Sequence, residues 1–276
     1  MTNHSLPHQT IGLFDSGVGG LTVMQKLMEH LPYEKMIYLG DTARVPYGNK
    51  SRETILKYSL ENAQWLIQHN IKILVVACNT VSAMGLSHLE ALQEYSTIPI
   101  VGMIEPGVEK VVECSTNHRI AILGTRATIQ SETYQNAIKA RLPNAEIFTI
   151  ECPLIVPLIE EGWLSHEATK LVVKEYLKPL KDKDVDTILL GCTHYPLIKD
   201  LIQNEVGDYV CLVDPAACCA IQVKNLLSHM QKLSFSNDLA HSEMSHQYFT
   251  SDNPKNFQKI AEKLFGCPIN DVKQIH

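Results

Sequence analysis

Short apolar runs alternate with longer amphipathic stretches along this chain, and eight of the runs read as strands: residues 11–14, 36–39, 73–77, 98–101, 120–123, 147–150, 187–190 and 210–213. They are almost wholly apolar rather than alternating with polar residues, the mark of strands covered on both faces. Helical patterns lie between them, and strand, helix, strand in succession implies right-handed crossovers. The predicted fold class is α/β, built on mostly parallel sheets. Further helical patterns at 216–227 and 257–265, the latter ended by Gly266, follow the last run.

Two runs end alike. Val75-Val76-Ala77-Cys78-Asn79-Thr80 and Leu189-Leu190-Gly191-Cys192-Thr193-His194 each pass from apolar residues through a small one to a cysteine and then polar side chains. Each thiol is expected at the carboxyl end of a strand and beside a helix N-terminus, where open α/β sheets bind ligands and where thiolate is favoured over thiol. No Gly/Ser linker or charged tract marks a domain border, so the border is inferred from this repeat. The expectation is two similar α/β lobes, residues 1–98 plus 213–276 and residues 99–212, with the active site in the cleft between them.

Composition narrows the class. A hydrophobic content of 45% with 14 Gly and 13 Pro describes a soluble globular protein, and a net charge of −6 without a basic cluster argues against nucleic acid or an anionic membrane as partner. No segment approaches a membrane span, and the polar start from Met1 to Thr10 lacks the apolar core of a signal peptide, so a cytoplasmic location is expected. Eight cysteines in a chain of this size without an export signal read as free thiols. No Cys-x-x-Cys pair is present and Cys218 and Cys219 are adjacent, which does not suit zinc. Cys114, Cys152, Cys211, Cys218, Cys219 and Cys267 read as small buried hydrophobes.

Other loops carry candidate chemistry. Phe14-Asp15-Ser16-Gly17-Val18-Gly19-Gly20-Leu21-Thr22 is a strand, a glycine-rich turn and a helix start, but Thr22 stands where a dinucleotide fingerprint needs its third glycine. The glycines can instead bring backbone amides close to a smaller anion such as a carboxylate, with Asp15 and Ser16 projecting into the cleft or simply capping the helix. In Gly40-Asp41-Thr42-Ala43-Arg44-Val45-Pro46-Tyr47-Gly48, Asp41 reads as a turn residue or a ligand-binding group, and Arg44 as a carboxylate clamp or the partner of a surface acid. Glu160 and Glu161 are adjacent, so on a helix their side chains point about 100° apart and at most one faces the cleft. His194, one of twelve histidines, gains interest from lying two residues after Cys192.

Together these segments, with Ile104-Glu105-Pro106-Gly107 and Gly191-Cys192-Thr193-His194-Tyr195-Pro196-Leu197, resemble the cofactor-independent aspartate/glutamate racemases, specifically those acting on glutamate. The resemblance spans nearly the whole chain beyond the first nine residues. It implies a two-domain enzyme that interconverts L- and D-glutamate without pyridoxal phosphate, metal or other cofactor and supplies D-glutamate for bacterial peptidoglycan. By position, Cys78 and Cys192 match the two catalytic cysteines, and Asp15, Glu160 and His194 match residues proposed to assist them. Asp15, Ser16, Asp41, Tyr47, Gly48, Asn79, Thr80, Thr193 and His194 are the expected substrate-binding positions. A homodimer rests on the resemblance alone.

The paired thiols have a chemical reason in such a reaction. Inverting a carbon centre needs a proton removed from one face and another delivered to the opposite face, and a single base tends to return the proton it took. Without an electron sink, the developing charge must be met by preorganised amides and hydroxyls. Rival readings are a racemase of another acidic amino acid such as aspartate, a cysteine hydrolase with His194 as base, and a non-enzymatic small-molecule binding protein.

Overall fold

The structure, a computed structural model, describes residues 9–91, 97–234 and 245–275. The start of the chain up to residue 8, where the sequence predicts no leader, lies outside them. Among the described residues there are ten strands: β1 (Thr10–Asp15), β2 (Met36–Gly40), β3 (Ile71–Val76), β4 (Ile100–Val101), β5 (Arg119–Gly124), β6 (Glu146–Glu151), β7 (Thr187–Gly191), β8 (Cys211–Val213), β9 (Gln247–Thr250) and β10 (Val272–Gln274). They form a six-stranded sheet in the order β10-β9-β2-β1-β3-β4 and a four-stranded sheet in the order β6-β5-β7-β8. Every pairing in both is parallel.

The two sheets repeat one plan. The order β2-β1-β3-β4 in the first recurs as β6-β5-β7-β8 in the second, so β3 and β7, the strands that precede the two cysteines, hold equivalent places. Alternate residues of β1 and β3 feed opposite faces. Leu13, Ile73 and Val75 pack with the helices Leu21–His30 and Pro215–His229, whereas Phe14, Leu74 and Val76 pack with the helix Arg52–Ile67. The second sheet does likewise, with Leu123, Ile188 and Leu190 on one face and Ile120, Ile122 and Leu189 on the other. Burial on both faces explains why these strands read as apolar runs.

The strand at residues 100–101 pairs with β3, so sheet pairing carries the first sheet past the expected border at 98. The helix Pro215–His229 packs against both Leu21–His30 and Ile104–Cys114, and its Ala216, Cys219, Ala220, Val223 and Leu227 join the core of the first sheet. The last helix begins three residues before its apolar pattern. Pro254 opens it, the Asn253 side chain accepts from the Asn256 amide at 3.3 Å, and Gly266 closes it at φ 70°, a conformation glycine adopts without strain.

All eight cysteines are free, but only Cys78, Cys152, Cys192 and Cys219 are buried. Cys114, Cys211 and Cys218 are half-buried and Cys267 is exposed, contrary to their reading as core hydrophobes, because they sit at helix ends, in a short edge strand or on an outward helix face. Among the described residues, no helix is long and apolar enough to cross a membrane.

Candidate active site

The carboxyl ends of β1, β3 and β7 meet in a small cleft. Ser16, Pro46, Tyr47, Gly48, Cys78, Asn79, Thr80, Thr125, Val156, Cys192, Thr193 and His194 line it. Continuing the pairing of Phe14 with Val76 sets Ser16 level with Cys78, and continuing that of Gly124 with Gly191 sets Thr125 level with Cys192. Each thiol therefore has a hydroxyl residue beside it on the neighbouring strand. The segments after the cysteines also cross to the other side. Thr80 shares a hydroxyl hydrogen bond with Thr125 at 3.0 Å, and the Thr193 hydroxyl donates to Asp15 Oδ1 at 3.2 Å.

The surroundings of the thiols differ. Cys78 directly precedes a helix of six residues, Asn79–Met84, whereas after Cys192 a 3-10 turn at Tyr195–Ile198 intervenes before the helix Lys199–Val206. The expected helix is thus short but adjoining at one cysteine and set back beyond a 3-10 turn at the other. At Cys192 a side chain takes its place: His194 Nδ1 lies 3.8 Å from the sulfur, and His194 Nε2 lies 2.7 Å from Glu160 Oε1. Burial works against a charged imidazole there, but Cys192 and the Glu160 carboxylate override it and hold His194 well above the ordinary histidine value. Burial also opposes charge on Glu160, and the hydrogen bond from His194 outweighs it, so the carboxyl is held low. Glu161 is exposed, so of the adjacent pair only Glu160 faces inward. At Cys78, burial first and then the nearby Asp15 push the thiol up.

The glycine-rich turn is occupied by the protein's own acids. The Gly17 amide donates to Asp15 Oδ2 at 3.1 Å and the Val18 amide to Glu160 Oε1 at 3.3 Å, so these donors do not await a substrate carboxylate as the sequence suggested. Asp15 is fully buried, and burial raises its carboxyl. Neither Asp15 nor Glu160 lines the cleft; both stand behind residues that do. Asp41 is likewise a supporting residue and not a wall of the cleft. It accepts from the Tyr47 hydroxyl, from Arg44 Nε at 2.6 Å and from the Ser251 hydroxyl at 2.7 Å. Arg44 also pairs with Glu61, which makes it an internal brace rather than a ligand clamp.

The sequence reading missed Pro46, Thr125 and Val156 in the cleft wall, and Tyr134, whose hydroxyl donates to Asn79 Oδ1 at 2.6 Å. The equivalence of β5 with β1 was the available signal for Thr125. Close packing explains one glycine of the turn: a Cβ at Gly19 would overlap His194 Nδ1 and the Thr193 hydroxyl. Gly19→Ala is expected to displace both and lower kcat by about 10²-fold, as misplacing a catalytic group by an ångström does. Steady-state kinetics alongside thermal unfolding would separate this from loss of fold.

Residues 11–223 match the Asp/Glu/hydantoin racemase family. A glutamate racemase from Geobacter metallireducens is 46% identical over 270 residues, covering 98% of this chain and 97% of that protein. Among solved structures, a glutamate racemase isoform from Bacillus anthracis superimposes with a TM-score of 0.90 at 35% identity, over 98% of each chain. A glutamate racemase from Francisella tularensis in complex with D-glutamate gives 0.88 at 35% identity, again over 98% of each chain. The chain belongs to the Asp/Glu/hydantoin racemase family and, within it, to the glutamate racemases.

Proposed function

We propose that this protein interconverts L- and D-glutamate by proton transfer at the α-carbon between two cysteines. The observation that carries the reading is that Cys78 and Cys192, from equivalent strands of two repeated sheets, line one small cleft together. The substrate α-carbon would lie between the sulfurs, with one taking the proton from its face and the other delivering a proton to the opposite face. Their roles exchange for the other enantiomer. Asn79, Thr80, Thr193 and Ser16 present amides and hydroxyls to the bound carboxylates and to the charge that develops on deprotonation.

The two proton transfers are assisted differently. Burial keeps Cys78 as a thiol, ready to act as the acid, with Asp15 behind it. Cys192 has a partner that can hold or supply a proton, since His194 is kept protonated by Glu160. A homodimer, a cytoplasmic location and delivery of D-glutamate to peptidoglycan synthesis belong to the same reading and rest on the family resemblance alone. Assigned by their sheets, the lobes divide after Val213, which still pairs in the second sheet, and the helix Pro215–His229 with β9 and β10 returns to the first.

Cys192, His194 and Glu160 also form a cysteine, histidine and acid series, which favours a hydrolase as the second reading. That chemistry has no use for Cys78. Following optical rotation of L-glutamate, D-glutamate and both aspartates with purified protein decides among the readings. The proposal predicts approach to a racemic mixture with glutamate and little change with aspartate, whereas no change with either glutamate enantiomer would overturn it.

A further inference from the structure

Tyr134 is fully buried and does not line the cleft, yet its hydroxyl reaches a residue that does. It lies on the helix Thr133–Arg141 and packs with Ile122 and Leu189 of the second sheet, whereas its partner Asn79 follows β3 of the first. The Tyr134 oxygen and Asn79 Oδ1 are 2.6 Å apart. That separation suits O–H···O and is short for an amide N–H···O, so the tyrosine donates and the amide presents its oxygen. Burial holds the phenol well above the ordinary tyrosine value, so its hydrogen stays available to donate. The Met103 carbonyl, 3.2 Å from the same hydroxyl, is the longer contact and already accepts from the Gly107 amide. The ring itself is closely flanked. A Cβ on Gly107 would stand 3.2 Å from one edge, and one on Gly191, the residue before Cys192, 3.6 Å from the other. With Oδ1 turned back to Tyr134, Asn79 Nδ2 is turned to the cleft, and among the described residues no protein acceptor takes it.

We infer that Tyr134 is a positioning residue for substrate binding, fixing the Asn79 amide with its N–H groups toward the cleft as donors to a substrate carboxylate. The inference rests on the reading of the cleft as a glutamate site. An asparagine side chain has a donor end and an acceptor end of nearly equal size, so its surroundings must choose which end faces a ligand. Turned the other way, the amide would present an oxygen to the carboxylate and repel it. Tyr134 makes the choice before substrate arrives, so binding does not have to order the side chain. The carboxylate is charged in bound substrate and in the transition state alike, so the contact acts on KM more than on kcat.

Tyr134→Phe keeps the ring and removes only the hydroxyl. It should raise KM for both glutamate enantiomers about tenfold, the usual worth of a hydrogen bond to a charged group, while kcat changes by about threefold at most. Native KM in this variant would overturn the role. Asn79→Ala shows whether Tyr134 acts through Asn79: in that background Tyr134→Phe should raise KM no further, and a second rise of about tenfold would overturn the role. Asn79→Asp reads the direction of the amide independently, even if Tyr134→Phe folds poorly. With the hydroxyl bonded to one carboxylate oxygen, the other faces the substrate carboxylate, so KM should rise at least as far as in Asn79→Ala. KM at or below the native value in Asn79→Asp would mean that oxygen faces the cleft, and would overturn the inference. Native protein that racemises glutamate while these variants fail the prediction keeps the proposed function and loses only the role of Tyr134, whereas native protein that does not racemise glutamate loses both.

Discussion

Cys78→Ala and Cys192→Ala should each lower kcat for glutamate racemisation by about 10²–10⁴-fold, the usual contribution of a positioned acid or base. The loss should appear with both enantiomers. In one direction a given sulfur is the base and in the other it is the acid, so removing either breaks both directions. His194 cannot stand in for Cys192, because its Nδ1 edge is turned to the sulfur at 3.8 Å and its Nε2 edge is held by Glu160. Asp15 cannot stand in for Cys78, since it does not reach the cleft wall and its carboxylate is bonded to Gly17 and Thr193. Truncating a buried cysteine to alanine leaves a small void, so thermal unfolding should change modestly beside the kinetic effect. Circular dichroism kinetics with each enantiomer checks this, and a single variant with native rates in either direction would remove its sulfur from the mechanism.

The largest expected effect on stability lies at the opposite end of β3. Lys72 is 2% exposed and Glu34 1% exposed, and their charged atoms are 2.5 Å apart. The Lys72 ammonium also donates to the Lys232 carbonyl at 2.7 Å and to the Ser234 hydroxyl at 3.2 Å, while Glu34 accepts from the Ser234 amide at 2.8 Å. Lys72→Met would leave a buried carboxylate without its cation, which costs about 3–5 kcal/mol. Removing both charges together, with Lys72→Met and Glu34→Leu, should recover most of that loss, because a well-packed apolar pair avoids desolvating two ions. Urea denaturation of both variants measures this directly. The folded fraction of Lys72→Met should keep native kcat, since four residues of strand, roughly 13 Å, separate Lys72 from the end of β3 before Cys78. A loss below about 1 kcal/mol would mean the pair is dispensable.

Most of the eight strands legible in the sequence are those whose burial on both faces leaves an apolar string, while half-buried β6 was legible from Ile147, Phe148 and Ile150. The two that were not legible lie at or beside one edge of the larger sheet. β9 carries Gln247 and Thr250 in four residues, and β10 is Val272-Lys273-Gln274 with its last two side chains exposed. Strands so short and polar leave no periodic signal, and only pairing with β2 and with each other makes them strands. The border at 98 fell at the start of the run read as a strand at 98–101, and only the pairing of residues 100–101 with β3 assigns that run to the first sheet.

At the site, sequence position gave Cys78, Cys192, Ser16, Tyr47, Gly48, Asn79, Thr80, Thr193 and His194, all of which line the cleft. What sequence position could not give was depth. Asp15, Asp41 and Glu160 sit one layer back, where they hold Thr193, Tyr47 and His194 respectively. An acid that touches substrate and an acid that orients the residue touching substrate have the same local sequence. The glycine-rich turn shows the same ambiguity: its amides do bind carboxylates, but those of Asp15 and Glu160.

The claim that two thiols act from opposite faces is tested most directly by the hydrogen on the first product formed in deuterium oxide. Native protein is given either enantiomer of unlabelled glutamate, and the opposite enantiomer is isolated early and weighed by mass spectrometry. If one cysteine removes the proton and the other, already equilibrated with solvent, delivers its own, the product carries solvent deuterium at the α-carbon from the start, in both directions. Product that retains the substrate's own α-hydrogen would mean that a single group carried it across, and would contradict the two-cysteine account.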